Sequence, residues 1–252
     1  MILKCIERKK IRMSNNLKSY STSSTVDYYE KLANIGCFRY ESLLINKYFP
    51  YHSSVLDIGC GVGRTTTALK RGGYRAVGID DSSQMIKAAQ VIDKEIDYKV
   101  QDVRKMLFSN ETFDCAIFSF NGLMLLETYE DRENAMFEIR RVLKVGGIFI
   151  FTTPFLDNKV EKEYWKEKIS HYGKTLEQFS FSERLRLGDE VTEEGNCEFH
   201  LHIPFVSEIQ KMVHRCGYDI LFEGRRLDYF PEEDFEDELD DNYLWVVKKR
   251  NV

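Results

Sequence analysis

The sequence predicts an α/β protein built on a doubly wound, mostly parallel β-sheet. The first observation is that, after residue 50, short apolar runs alternate with stretches whose apolar residues recur at helical spacing. The second is a glycine-rich turn that follows the first of these runs and opens a helical stretch. The third is size, because 252 residues, 43% of them hydrophobic, suffice for the core of one large domain.

Five apolar runs are expected to form the first strands of this sheet. They are residues 54–58, 76–79, 98–100, 115–120 and 148–152. Between them, helices are expected at residues 64–71, 83–93 and 132–143. Such an alternation implies parallel strands with helices on both faces of the sheet. It returns near the end of the chain with a helix at 207–216 and strands at 218–223 and 242–248.

Three segments depart from the alternation. Residues 1–25 are basic and then rich in Ser and Thr, which predicts a flexible N-terminal segment. Residues 26–49 have apolar side chains at helical spacing and are expected to form a helical cap. Residues 156–203 are rich in charged and aromatic side chains, which favours a lid or insertion over the carboxyl edge of the sheet. The domain is expected to span residues 26–252.

The composition limits the partners of the protein. A net charge of −5 weighs against extended nucleic-acid contact, which depends on Lys and Arg neutralising phosphates. The sequence has no run that approaches the roughly 18 apolar residues of a membrane span, so no membrane-spanning segment is expected. The six cysteines are scattered without a C-x-x-C pair, so a reduced, cytoplasmic protein is expected. The N-terminus does not resemble a secretory signal, and Met13 is an alternative start to Met1.

The segment that carries the chemistry is the turn after the first strand. It contains the cofactor-binding candidates Asp57, Gly59, Cys60, Gly61 and Gly63. Glycines allow positive φ angles and a close approach of a ligand to the backbone, and the following helix N-terminus favours an anionic group. A dinucleotide fingerprint would require its third glycine at Arg64. Asp57 can hold an ammonium group, which NAD lacks.

A second acidic position follows the second strand, about twenty residues after the turn. A carboxylate at Asp80 can accept hydrogen bonds from both hydroxyls of a ribose. NAD enzymes use the same arrangement, so Asp80 supports nucleoside binding without selecting the cofactor. The neighbouring Asp81 is a further candidate, although an Asp just before a helix commonly acts as the helix cap.

Together these motifs resemble the class I S-adenosylmethionine-dependent methyltransferases. The resemblance covers roughly residues 50–155 and, more loosely, the two closing strands. It implies S-adenosylmethionine as the cofactor and a seven-stranded, Rossmann-like sheet whose last strand is antiparallel. In that family the acid and glycines of the turn hold the methionine moiety, and the acid after the second strand holds the ribose.

The resemblance also assigns the remaining cofactor contacts. The helix after Asp80 would pack Met85 on the adenine, and an acid after the third strand, Asp102 beside Val103, would contact the adenine amino group. Phe120 and Asn121, after the fourth strand, would border both the cofactor and the methyl acceptor. The segment 138–147 resembles the family's helix and turn before the fifth strand, and the turn is expected at residues 144–147.

The N-terminal cap offers further contacts for the methionine carboxylate. Tyr28 or Tyr29 could close over this group, and core packing of a helix explains the two tyrosines equally well. Arg39 is another candidate for the carboxylate or for an acidic substrate. His200 and His202 would place two imidazoles on one strand face, where packing is favoured over metal binding because no third ligand is evident. No metal is expected.

Catalytic residues are harder to find, because methyl transfer from a sulfonium is a direct displacement that needs mainly alignment and exclusion of water. His171 and Tyr172, in the predicted lid, and Asn121 are weak candidates for a base or a substrate contact. Residues 119–123 lack an Asn/Asp-Pro-Pro-aromatic motif, which disfavours planar amides and base amines of that type. No Pro-Cys pair supports a cysteine nucleophile.

We therefore predict methyl transfer to a small molecule or short peptide, by a monomer or homodimer. Nitrogen is slightly favoured over oxygen because the acidic run at 228–241 could attract a cationic acceptor, although such runs are commonly solvated loops. Three alternatives stay open. An RNA methyltransferase would need a basic face, a nicotinamide-dependent oxidoreductase would bind NAD, and a non-catalytic protein would bind S-adenosylmethionine without turnover.

Overall fold

The structure is a computed structural model that describes residues 15–156, 163–173, 175, 178–194, 197–230 and 241–251. Within these residues the strands are β1 (Ser54–Ile58), β2 (Arg75–Asp80), β3 (Asp97–Val100), β4 (Phe113–Phe118), β5 (Leu143–Thr153), β6 (Asp189–Glu194), β7 (Cys197–His202), β8 (Tyr218–Arg225) and β9 (Tyr243–Lys249). The helices are α1 (Asn15–Tyr20), α2 (Ser23–Leu32), α3 (Arg39–Tyr48), α4 (Arg64–Arg71), α5 (Ser83–Ile92), α6 (Tyr129–Val142), α7 (Glu163–Ser170), α8 (Phe181–Gly188), α9 (Val206–Arg215) and α10 (Arg226–Tyr229).

Seven strands form one sheet in the order β3-β2-β1-β4-β5-β9-β8. The first five pair in parallel, whereas β9 runs antiparallel to both β5 and β8. The predicted seven-stranded, mostly parallel sheet with an antiparallel last strand is therefore confirmed. The strand order reverses direction beside β1, and α/β sheets of this kind bind ligands at the carboxyl ends of the strands there.

The two faces of the sheet are covered by different helices. Because successive side chains of a strand point to opposite faces, Leu56 and Ile58 belong to one buried cluster and Val55 to another. The first cluster packs the sheet against α6 and α9. The second packs it against α3 and α4. Helix α3, predicted as part of a cap, thus also covers the sheet.

Some boundaries differ from the prediction for local reasons. The strand predicted at 115–120 ends at Phe118 because Phe120 and Asn121 adopt left-handed φ angles of 50° and 58°. The turn expected at 144–147 lies inside β5, where the pairing register with β4 shifts between Phe113 and Cys115. Such a shift accommodates extra residues without ending the strand.

The N-terminal segment is helical over part of the range that was predicted to be flexible. Residues 15–20 form α1, and Thr22 caps α2 by accepting a hydrogen bond from the Thr25 N–H. Long-range hydrogen bonds from Asn16 hold α1 in place, which a local composition argument does not detect. Residues 1–14 lie outside the described part of the chain.

The predicted insertion contains α7, α8 and a two-stranded antiparallel hairpin of β6 and β7. Its buried apolar side chains form a cluster of their own, made of Leu156, Trp165, Phe179, Leu187, Ile203 and Phe205. Among the residues that the structure describes, none of the helices has the length and apolar character needed to cross a membrane.

Candidate active site

A cavity lies at the carboxyl ends of β1, β2 and β4, beneath α1 and α2. The space within it, including the part that is open to solvent, is about 1160 Å³. The lining side chains come from the glycine turn, the ends of the strands and the two N-terminal helices. They include Asn16, Leu17, Tyr20, Tyr29, Asp57, Gly59, Cys60, Gly61, Arg64, Asp80, Asp81, Met85, Asp102, Val103, Ser119 and Phe120.

The three glycines of the turn all have positive φ angles, but their surroundings differ. A Cβ at Gly59 would lie 2.7 Å from the Phe118 ring, and one at Gly63 would collide with the Tyr98 hydroxyl. A Cβ at Gly61 would meet no atom within 4 Å. The first and last glycines therefore allow close packing within the protein, whereas Gly61 leaves open the space into which a ligand can approach the backbone.

Asp57 lies on β1 and is 1% exposed. Its Oδ2 accepts a hydrogen bond of 2.6 Å from the Thr66 hydroxyl on α4. Burial raises the pKa of Asp57 to about 7, against the opposing effects of this hydrogen bond and of the Arg64 charge. A cation placed in the cavity would favour the ionised form of this carboxyl.

Asp80, at the end of β2, fastens the glycine turn to the start of α5. Its two oxygens accept hydrogen bonds from the Gly61 N–H at 2.9 Å and the Ser82 N–H at 2.8 Å. Burial, followed by the neighbouring Asp81 charge, raises the pKa of Asp80 to about 7. The cap of α5 is Ser82, so the alternative role of Asp81 as the cap is wrong. Asp81 instead lines the cavity.

The far end of the cavity has an apolar wall and one paired acid. Met85 is 2% exposed and lines the cavity together with Val103. Asp102 also lines it, but both its oxygens accept hydrogen bonds from the guanidinium of Arg104. Burial acts to raise the pKa of Asp102, and the hydrogen bonds from Arg104 outweigh burial and lower it.

The turn after β4 has an unusual backbone. Phe120 and Asn121 are consecutive non-glycine residues in the left-handed region, which is uncommon and found at functional sites. The Asn121 side chain donates to Asn242 Oδ1 at 3.0 Å. Ser119 Oγ is buried, lines the cavity and has no hydrogen-bond partner among the described residues. A buried hydroxyl in this state is available to a ligand.

Most predicted cofactor residues therefore meet at one cavity. Those on its wall are Asp57, Gly59, Cys60, Gly61, Asp80, Asp81, Met85, Asp102, Val103 and Phe120. Gly63 and Asn121 flank lining residues. Cys60 also packs in a buried apolar cluster, and burial raises the pKa of its thiol.

Four predicted residues lie elsewhere, which corrects their assignment. Tyr28 is 48% exposed, while its neighbour Tyr29 lines the cavity in its place. Arg39 is an exposed first residue of α3 and is absent from the cavity wall. His171 is exposed, with Nδ1 2.8 Å from its own helix's Glu167 carbonyl. Tyr172 packs against Phe179 of the insertion.

Several lining residues were not predicted. Asn16, Leu17 and Tyr20 come from α1, which carries no motif. Arg64 was used only to reject a dinucleotide fingerprint, yet it lines the cavity. The sequence feature that could have identified Arg64 as a lining residue is its position directly after the last glycine of the turn.

His200 and His202 lie on β7 as expected. His202 is fully buried between two carboxyl groups, with Nδ1 2.7 Å from Asp189 and Nε2 2.9 Å from Glu208. These contacts join the insertion to α9. Within the described ranges, no group of three or more His, Cys, Asp and Glu side chains has the arrangement of a metal site.

Known proteins share these features. Residues 56–151 match the family described as a methyltransferase domain. The chain is 30% identical over 199 residues to the mitochondrial ubiquinone biosynthesis O-methyltransferase of Rattus norvegicus, covering 64% of this chain and 55% of that protein. The chain spans about half the length of curated relatives that it matches, at 50% and 55% for two of them.

Solved structures share the fold. A SAM-dependent methyltransferase from Methanosarcina mazei superposes with a TM-score of 0.68 at 19% identity, over 86% of this chain and 100% of the other. The 1,6-didemethyltoxoflavin-N1-methyltransferase of Burkholderia thailandensis, solved with S-adenosylhomocysteine, gives a TM-score of 0.61 at 14% identity, over 93% of this chain and 85% of the other.

The sheet order and the cavity at the glycine turn are those of an α/β protein that binds a ligand at the carboxyl ends of its strands. Residues 56–151 match a methyltransferase domain and the solved structures share the fold, and these findings support a class I S-adenosylmethionine-dependent methyltransferase. The family and cofactor predicted from the sequence are confirmed.

Proposed function

We propose that the protein transfers a methyl group from S-adenosylmethionine to a nitrogen or oxygen atom of a small molecule or short peptide. The observation that carries the proposal is the set of groups that meet in one cavity. An ammonium-binding acid, a backbone cradle and a ribose-binding acid follow one another at Asp57, Gly61 and Asp80.

These residues fit the cofactor group by group. The space that a Cβ would fill at Gly61 admits the ligand to the backbone. Asp57 would hold the ammonium group, and Asp80 the ribose hydroxyls. Met85 and Val103 would contact the adenine, with Asp102 at its edge. S-Adenosylmethionine, when bound, supplies a methyl group that its positively charged sulfur activates for direct displacement.

The chain's own contribution is to align the acceptor and to exclude water. Leu17, Tyr20 and Tyr29 cover the cavity with largely apolar surface, and exclusion of water strengthens the electrostatic contacts inside it. His171 and Tyr172 lie away from the cavity wall. An acceptor that already presents a lone pair, such as a neutral amine, needs no protein base.

A small acceptor is supported by the charges of the wall. Four of its carboxyl groups, those of Asp57, Asp80, Asp81 and Asp102, surround the cofactor region. Arg64 is the single lining Lys or Arg among the described residues, and Glu41 pairs with it. RNA would require several cations for its phosphates. This balance supports the small-molecule acceptor over the RNA alternative.

The proposal gives the acceptor atom only as nitrogen or oxygen. The rat relative is named as an O-methyltransferase and the Burkholderia neighbour as an N-methyltransferase. Nitrogen keeps a slight preference because of the acidic wall. The acidic run that also suggested it falls largely on residues 231–240, outside the described part of the chain. A cytoplasmic location and a monomeric or homodimeric state belong to the same proposal.

The test is to incubate the protein with methyl-labelled S-adenosylmethionine and a cell extract separated into small-molecule, RNA and protein fractions. Label should enter the small-molecule or short-peptide fraction, and mass spectrometry should then locate the methyl group. The Asp57→Asn/Asp80→Asn variant is the matched control, since it keeps side-chain size and removes both charges. Label in RNA, or no label anywhere despite cofactor binding, would contradict the proposal.

A further inference from the structure

Arg64 is buried, although arginine side chains usually lie at the protein surface. It is the first residue of α4, directly after the glycine turn, and is 6% exposed. A buried guanidinium is costly unless its donors are paired. Its contacts therefore indicate what the residue does.

The guanidinium fastens the N-terminal cap to the glycine turn. Its two terminal nitrogens each donate to one oxygen of Glu41 at 2.7 Å. The same guanidinium donates to the Gly36 carbonyl. Glu41 Oε2 in turn accepts the Phe38 N–H at 2.8 Å. One side chain thus fixes three points of residues 36–41 against the start of α4.

The guanidinium also supports the turn after β4. Its central carbon lies 4.3 Å from the centroid of the Phe38 ring and 4.9 Å from that of Phe120. The two rings contact each other edge to face at 5.3 Å. Because Phe120 has a strained backbone and lines the cavity, this packing holds its ring at the wall.

Arg64 further acts on Asp57 through its charge. Burial is the largest influence on this carboxyl and raises its pKa, and Arg64 opposes that effect. Glu41 and Asp80 act in the same direction as burial. The titratable and charged groups that face Asp57 from the packed elements are Cys37, Glu41, Cys60, Arg64, Asp80 and Tyr98.

We propose that Arg64 is a positioning residue for the cofactor: paired with Glu41, it sets the cap and Phe120 around the methionine end of the cavity, beside Asp57. The inference rests on the proposed function of this cavity. Its charge keeps Asp57 available in the ionised form, and its planar fork holds the geometry. A lysine supplies the charge without the fork.

The test measures binding of S-adenosylhomocysteine by calorimetry from pH 6 to 9, in the wild type and in Arg64→Gln and Arg64→Lys. Arg64→Gln should weaken binding at pH 7 about tenfold and move the pH midpoint of the affinity upward by about one unit. Arg64→Lys should weaken binding while keeping the wild-type midpoint. Arg71→Gln, an exposed arginine at the end of the same helix, should match the wild type.

If Arg64→Gln fails to fold because Glu41 is left buried and charged, the Arg64→Gln/Glu41→Gln variant replaces it. The double variant should still bind more weakly than the wild type, because the cap is no longer fastened to the glycine turn, and its midpoint should lie closer to that of the wild type, because Glu41 opposes the effect of Arg64 on Asp57. Unchanged affinity in whichever of the two variants folds would overturn the inference, as would an unchanged midpoint in Arg64→Gln. Failure of the wild type to bind the ligand would instead contradict the proposed function itself.

Discussion

The acids of the glycine turn and those of the insertion differ in whether the protein itself pairs them. Asp57 and Asp80 face the cavity, and their pKa values are raised to about 7 by burial. In the insertion, burial also acts to raise the pKa of Asp189, but the hydrogen bond from His202 together with the charges of His202, Arg132 and His200 outweighs burial and lowers it. Among the described residues, the acids of the turn therefore lack a cationic partner that a ligand could supply, whereas the acid of the insertion is paired within the protein.

The two regions also differ in the range of their contacts. The turn is fixed by contacts of shorter sequence separation, such as those that Gly61 and Ser82 make with Asp80 at separations of 19 and 2 residues. Helix α1 (Asn15–Tyr20) forms the cover of the cavity. This cover is fixed by Asn16, which donates to the carbonyls of Leu125 and His200 at separations of 109 and 184 residues. Contacts between residues that are close in sequence produce a recognisable sequence motif, whereas contacts between residues that are far apart in sequence do not.

The largest effect is expected from a glycine substitution that collides in the turn but not in the insertion. Gly63→Ala adds a left-handed strain at φ 90° and a clash with Tyr98, so we expect unfolding free energy to fall by about 3 kcal/mol. Gly173→Ala, at φ 60° with open space around it, should cost about 1 kcal/mol. Denaturant unfolding of both variants measures the difference, and equal losses would show that the turn is no more tightly packed.

The next effect concerns the pH dependence of stability. With pKa values near 7, above the usual 3.8, Asp57 and Asp80 bind more protons in the folded protein than in the unfolded chain. These groups therefore make the free energy of unfolding fall as pH rises from the unfolded pKa through the folded pKa, by about 3 kcal/mol for the two groups together from pH 6 to 8. Affinity for S-adenosylhomocysteine should rise over the same interval, because ionised Asp57 would hold its ammonium group and ionised Asp80 would accept hydrogen bonds from its ribose hydroxyls.

Comparison with Asp57→Asn/Asp80→Asn isolates these two groups from the other acids. Thermal and denaturant unfolding of the ligand-free proteins across this range gives the difference in slope. A wild-type slope equal to that of the variant would mean that the two acids carry ordinary pKa values.

The smallest of the three effects is local to the cover. Asn16→Ala removes its donations to Leu125 and His200 and the bond that it accepts from the His200 N–H. We expect the opening free energy of α1 to fall by about 2 kcal/mol. Amide exchange in Asn15–Tyr20 and dissociation of S-adenosylhomocysteine should both become faster.

The exposed Lys18→Ala on the same helix provides the control and should change neither rate. If Asn16→Ala leaves both rates at their wild-type values, the amide does not secure the cover.

The difference between local and distant contacts explains what could be predicted from the sequence. The sheet, Asp57, Asp80 and the glycines of the turn follow from strand periodicity and short-range motifs, whereas Met85, Asp102 and Val103 were assigned through the family resemblance that these motifs support. Helical spacing did not distinguish Tyr28 from Tyr29, since both fit an amphipathic pattern and only packing decides which reaches the cavity. No local signal connects Asn16 with His200, so the cover could not be predicted.

The most direct test of the central claim is calorimetric titration of the wild type and of Asp57→Asn/Asp80→Asn with S-adenosylhomocysteine and with NAD. The wild type should bind S-adenosylhomocysteine and not NAD, and the variant should lose about a hundredfold in affinity, as expected for the removal of two charged hydrogen-bonding groups. No binding by the wild type, or equal affinity in the variant, would contradict the assignment of this cavity to the cofactor.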